Sequence, residues 1–173
     1  MALAQQIGRR LPYLAAAVAL FGLDRWSKVA IVASLPLYSS KPLIPGFFDL
    51  VHTRNTGMAF SMLNNAGPLV SQWILPGLSA AAVIFIIGLL WRTNLSDRRL
   101  LVGLALVLAG AAGNLYDRAV YGFVVDFLDV YVAGWHWPAF NVADSCITIG
   151  AGVLLLDAVW KSDPAGGREA QSA

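Results

Sequence analysis

Two aspartates stand in apolar company: Asp126 within Val124-Val125-Asp126-Phe127, and Asp144 within Asn141-Val142-Ala143-Asp144. A carboxyl in such surroundings holds its proton to a higher pH than in water, because burial disfavours the charged form. Two brought together cannot both ionise cheaply, so they tend to share one proton. That is aspartic-protease chemistry. The ionised member takes a proton from water as the water attacks a carbonyl carbon, while the protonated member donates to the carbonyl oxygen. From spacing alone, a helix-capping aspartate and a packing aspartate account for the same two residues equally well.

Other polar residues are spaced to stand beside such a pair. Asn114, Asp117 and Arg118 fall at i, i+3 and i+4 and share one helix face, while Asn141, Asp144 and Thr148 share another. Asp24 and Lys28 stand four apart, with Arg25 and Ser27 between them. They read either as an ion pair fixing helix packing or as groups touching substrate or lipid. Asp49, Asp129 and Asp157 read as structural or interfacial. Competing chemistries have less to work with. His52 and His136 are isolated and read as surface or loop residues, no HExxH occurs, and Cys146 is the single cysteine. Neither a metal site nor a Cys/His pair is expected, and no cofactor. Ser27 with Lys28 makes a poor hydrolase pair, since helix neighbours point about 100° apart.

The elements that must position these residues are membrane spans. Of 173 residues, 58% are hydrophobic and only 13% charged, about half the charged share of a soluble domain. A net charge of +2, without basic clusters among aromatics, argues against nucleic acid as a partner. Four stretches reach the roughly 20 apolar residues a bilayer helix needs: about Leu11–Leu35, Leu69–Trp91, Leu100–Asp117 and Phe140–Trp160. Arg9 and Arg10 before the run Leu11–Leu23 resemble the start of a cleavable leader, but the apolar stretch resumes after Lys28, and a retained span is expected. Arg9, Arg10, Arg92, Arg98, Arg99, Lys161 and Arg168 gather on one side, against Lys41, Arg54 and the marginal Arg118 on the other. Both termini are therefore expected in the cytoplasm. The outer segments are then about Pro36–Pro68 and Arg118–Ala139. In the first, LIPGFFDLV (Leu43–Val51) reads as short strands about a turn. The second, rich in Phe, Tyr and Trp, reads as an interfacial stretch. Together with Asn55, it is expected to form a mobile cover over the site. The tail from 163 to 173 reads as disordered. The expected fold is thus an all-α membrane protein, a single integral domain of four transmembrane helices with a small extracytoplasmic β-rich cap and an interfacial segment.

Four segments together resemble the lipoprotein signal peptidase (signal peptidase II) family. They are LDRWSK (Leu23–Lys28), NTGMAF (Asn55–Phe60), GNLYDRAVYGFVVDF (Gly113–Phe127) and FNVADSCITIG (Phe140–Gly150), which cover nearly all of the chain except its termini. The resemblance implies an intramembrane aspartic endopeptidase of the bacterial inner membrane, sensitive to globomycin. Its substrate would be a prolipoprotein whose cysteine already carries diacylglycerol, cut just before that cysteine. It implies Asp126 and Asp144 as the catalytic dyad, and Asn55, Asn114, Arg118 and Asn141 as positions holding substrate backbone or inhibitor. Asp24, Lys28, Gly57 and Asp117 take supporting places, with Gly57 allowing a tight turn. Membrane lipids are expected partners, and the protein is expected to work as a monomer. Arg25 departs from the glutamine of many relatives, and the WHWP stretch lies in a variable region. The competing classes are a four-helix transporter or channel, whose polar stripes line a pathway, and a scaffold in which they join helices.

Overall fold

The computed structural model describes residues 3–57 and 69–162. Helix α1 (Leu3–Ser34) leads into strands β1 (Ser40–Ile44) and β2 (Phe48–Asn55). A π-helical turn, Val70–Ile74, runs into α2 (Leu75–Arg92), followed by α3 (Arg98–Tyr121), β3 (Val124–Val132), β4 (Trp135–His136) and α4 (Val142–Ser162). The π turn sits beside Pro76, which has no N–H to continue the regular ladder. Gly122, at φ +76°, ends α3 in the left-handed conformation and turns the chain into β3.

Three helical stretches are long and apolar enough to cross a membrane: Gln72–Arg92, Arg98–Tyr121 and Val142–Lys161. Helix α1 has the length, at 32 residues, but Arg10 and Asp24 bound its apolar run, and Arg25 and Lys28 follow. The helices also exceed or shift from their expected limits. α3 runs on to Tyr121, so Arg118 lies inside it, and α4 begins at Val142, which puts Asp144 in its first turn.

Helix α3 is the centre of the bundle, packed against α1, α2 and α4. Its Leu101, Leu104, Ala105, Leu108 and Ala109 are buried with Ala17, Ile86 and Leu90. The α3–α4 seam is made of small residues, which let the backbones approach. A side chain at Gly110 would collide with the Ala143 carbonyl, and one at Gly150 would come within 2.9 Å of the Gly103 carbonyl. Gly110→Leu is therefore expected to cost about 1–3 kcal/mol or more, seen as a lower thermal midpoint in detergent. At the far end Arg10, buried, donates to the carbonyls of Leu90 (3.1 Å), Trp91 (2.9 Å) and Thr93 (2.8 Å), closing the C-terminus of α2.

One antiparallel sheet, in the order β1-β2-β3-β4, joins both outer segments. This corrects the expectation that strands belong to the first outer segment alone. Val124–Val132 pairs with β2, Thr53 opposite Asp126 and Asn55 opposite Val124. The aromatic stretch and the chain at Asn55 are therefore hydrogen-bonded neighbours within one sheet. Residues 58–68, which include the second half of the NTGMAF motif, and the tail from 163 onward lie outside the described residues. Helices α1 and α3 contact β3, and α4 begins beside it at Phe140. At the other end the start of α1, the α2–α3 turn and the end of α4 meet through Arg10 on the α2 carbonyls and Lys161 beside Asp97.

Candidate active site

Asp126 comes from β3, whose first four residues are buried, and Asp144 from the third residue of α4. Strand and helix are tied directly: Phe127 and Leu128 both donate backbone N–H to the Phe140 carbonyl, at 3.0 and 2.8 Å, and Phe140 donates back to Leu128. The chain enters α4 beside β3, and Asn141 lies at the junction. Its side-chain oxygen accepts from the Asp144 N–H (2.9 Å), while its own N–H donates to Asp144 Oδ2 (3.2 Å). This reciprocal cap fixes the Asp144 carboxyl. The Asn141 amide nitrogen meanwhile donates to Asp126 Oδ1 at 2.7 Å. One buried asparagine thus holds both aspartates.

The other two carboxyl oxygens have asparagine donors as well. Asn55 Nδ2 lies 3.1 Å from Asp126 Oδ2, and Asn114 Nδ2 lies 2.7 Å from Asp144 Oδ1. Asn55 cannot flip freely, because its side-chain oxygen accepts the Gly57 N–H at 3.0 Å, closing a local turn. Asn114 is oriented from the other side: its oxygen accepts from Lys28 Nζ at 3.3 Å. All donors to the pair are neutral amides or backbone, so neither aspartate is held by a salt bridge among the described residues.

Beneath this layer lies a buried ion cluster. Lys28 Nζ is 2.8 Å from Asp24 Oδ2 and 2.8 Å from Asp117 Oδ2, with all three side chains no more than 1% exposed. The contact with Asp117 Oδ2 is ionic, outside hydrogen-bonding geometry. Arg25 pairs with the other Asp117 oxygen and lies over the rings of Tyr116 and Tyr121. Two carboxylates are matched by two cations. Asp24 Oδ1 also accepts the Ala143 N–H at 2.9 Å, so α1 caps the first turn of α4 next to Asp144. Gly113 is the α3 residue that permits this approach, since a Cβ there would lie 2.6 Å from Asp24 Oδ2. Ser27 donates to the Asp24 carbonyl and makes no pair with Lys28.

Asp126 is pushed up to about 7, first by burial and next by the Asp144 carboxylate, against the opposing pull of Asn55 and Asn141. Its folded-state pKa exceeds the unfolded value of about 4. Its contribution to stability is therefore complete below pH 4 and lost as the pH rises through 7. Asp126→Asn is accordingly expected to raise the thermal midpoint relative to the unaltered protein at pH 8 but not at pH 4. Melting curves at the two pH values test this.

Both aspartates open onto a cavity of about 780 Å³. Leu75, Leu78, Ala82 and Ile86 of α2 line one side, and Ile147 and Ile149 of α4 the other. Asn55, Asn114, Arg118, Asp126 and Asp144 form its polar end. Arg118 donates to the Gly57 carbonyl at 3.1 Å, but its Nε is buried with no partner among the described residues. Asn55, Asn114 and Asn141 each give an N–H to a carboxyl oxygen of the pair, whereas Arg118 makes no hydrogen bond to either carboxyl among the described residues. Beyond Asn114 the α3 interior is the leucine and alanine core.

His52 departs from its reading, while Asp49, Asp129 and Asp157, read as structural or interfacial, have partners outside the site. His52 is buried in β2, with Nδ1 2.8 Å from the Leu35 carbonyl, contrary to its reading as a surface residue. Asp49 accepts from the Tyr131 hydroxyl, Asp129 faces His136, and Asp157 pairs with Lys161. The part of Arg25 in the ion cluster was not foreseen. The signal available was an arginine beside Asp24 and Lys28 in an otherwise apolar helix.

The family model described as Signal peptidase (SPase) II matches residues 16–160. The chain belongs to the signal peptidase II family. It is 46% identical over 144 residues to a lipoprotein signal peptidase of Solibacter usitatus, covering 82% of this chain and 86% of that protein. It is 47% identical over 146 residues to one of Ralstonia nicotianae, covering 84% and 83%. Among solved structures it is similar to a bacterial membrane enzyme determined by the in meso method at 2.3 Å resolution, with a TM-score of 0.77 and 28% identity, covering 88% of this chain and 90% of the other. A second such enzyme, at 1.9 Å, gives 0.74 and 29%, covering 88% and 94%. As a signal peptidase II, the protein is a bacterial membrane peptidase, and the sheet, the two aspartates and the asparagines around them all fall within the matched residues.

Proposed function

We propose that this chain is an aspartic endopeptidase that removes the signal peptide from diacylglyceryl-modified prolipoproteins, cutting just before the lipidated cysteine. The observation that carries the reading is Asn141 holding both Asp126 and Asp144 at the mouth of one cavity. Asp126, the deeper of the two, keeps the shared proton up to about pH 7. Ionised Asp144 takes a proton from water as it attacks the scissile carbonyl, and Asp126 donates to the carbonyl oxygen. The proton gained by Asp144 then passes to the amine of the cysteine as the C–N bond breaks, and Asp126 recovers its proton from a hydroxyl of the intermediate as the new carboxyl forms. Asn55, Asn114 and Asn141 position the carboxyls, and Arg118, which lines the cavity beside them, takes a backbone carbonyl of the substrate. Asp24, Lys28, Gly57 and Asp117 support that frame. kcat/KM is expected to decline above pH 7 as Asp126 loses its proton, which a pH profile measures.

Helix α1 makes the fourth crossing in this reading, with its charged residues turned into the bundle. Both termini then lie in the cytoplasm and the dyad near the outer face of the inner membrane. The apolar cavity between α2 and α4 lets a substrate enter sideways with its acyl chains still in the bilayer. The dyad and the amides that hold it come from one chain, so the reading is of a monomer. The test is incubation of the purified protein with one precursor in two forms, with and without diacylglycerol on its cysteine. Products beginning at the cysteine, from the lipidated form alone, are expected in the mass spectrum. Equal cleavage of both forms, or cleavage elsewhere, overturns the substrate assignment.

A further inference from the structure

The end of the bundle away from the sheet holds two adjacent arginines with different fates. Arg10 is buried and spends its guanidinium on α2 carbonyls. Arg9 is exposed, and shares with Asn94, Leu95, Ser96 and Arg98 a pocket of about 460 Å³ between α1 and the α2–α3 turn. Among the described residues no carboxylate lines this pocket. The neighbouring acid, Asp97, faces Lys161 at 3.4 Å, and neither Arg9 nor Arg98 has an acidic partner among the described residues. Two like charges facing one cavity are stable together when an anion lies between them.

We propose that this pocket binds the phosphate of an anionic phospholipid. Arg98 is the first residue of α3, a helix of 24 residues, so the positive end of its dipole adds to the two guanidiniums. The depth favours a lipid. Arg98 and Arg118 lie twenty residues apart on α3, about 30 Å at 1.5 Å per residue, which is the thickness of the hydrocarbon layer. Arg98 therefore sits at the boundary opposite the dyad. Exposed tryptophans mark the same level: Arg10 lies over Trp91 and Arg99 over Trp160, at 5.4 and 4.8 Å. Two unpaired cations favour a lipid of net negative charge over a zwitterionic one. The proposal rests on the chain spanning the bilayer as read above, and the leaflet concerned is then the cytoplasmic one.

The full-length protein, purified in detergent, is exchanged into equal phosphatidylglycerol and phosphatidylcholine, and the retained lipid is read by native mass spectrometry. Phosphatidylglycerol is expected to be retained at least about tenfold better by the unaltered protein than by Arg9→Gln/Arg98→Gln. The control Arg92→Gln/Arg99→Gln, which removes the same charge outside the pocket, should retain it normally. Equal retention by all three, or equal loss in both variants, overturns the site. Displacement of the lipid by millimolar inorganic phosphate shows a site for free phosphate and overturns the lipid assignment. Prolipoprotein cleavage by the same samples is read separately. Its absence throughout would count against the peptidase reading and leave the lipid result standing.

Discussion

Asp126→Asn and Asp144→Asn are each expected to lower kcat/KM for prolipoprotein cleavage by about 10³-fold, within the range for loss of a general acid or base, while the protein still folds. The expectation of an intact fold has a physical basis. An asparagine at 126 still accepts one hydrogen bond through its carbonyl oxygen, and it removes a carboxyl that burial already keeps from ionising. An asparagine at 144 still accepts the Asn141 N–H that completes the helix cap. What each change removes is the exchangeable proton or the proton acceptor. Detergent-phase melting curves and gel-based cleavage on the same samples separate the two effects. An inactive variant that is also unfolded would leave the chemical role unsupported.

Lys28→Met is expected to have the largest effect on stability. Lys28 is buried among Asp24, Asp117 and Asn114. Removing one member of a buried ion cluster leaves an uncompensated charge, at a cost of about 3–5 kcal/mol. The same change takes away the donor that orients the Asn114 amide toward Asp144. The double variant Lys28→Met/Asp24→Asn restores the charge balance and is expected to recover part of the thermal midpoint. It does not restore the donor to Asn114, so kcat should stay low with KM little changed. Recovery of activity in step with stability would assign Lys28 a packing role alone.

How far the sequence reveals this site depends on the range of each interaction. The stripes Asn114–Asp117–Arg118 and Asn141–Asp144 were legible because helical periodicity places them on shared faces. Asp24 and Lys28 were legible as a pair for the same reason. Their destination was not: the contact from Asp24 to the Ala143 N–H spans 119 residues, and no local pattern encodes it. Asp126 was recognised as buried, but its strand was missed. VVDFLDVYV is rich in β-branched and aromatic residues, the composition of the strand that pairs with β2. Helix ends shifted for a similar reason: the hydropathy of α3 fades at Asp117, yet its helix continues to the Gly122 cap. Asn141 was read as a substrate contact, and its hold on both carboxyls required the turn from Phe140 into α4 to be seen.

The most direct test of two aspartates acting as one unit is a double-variant cycle in single-turnover cleavage of a lipidated precursor, with Asp126→Asn, Asp144→Asn and both together. Residues that share one proton and one water should fail as a unit, so the double variant is expected to be no slower than the worse single. Losses that multiply, or a single variant that keeps near-normal turnover, would contradict a shared dyad.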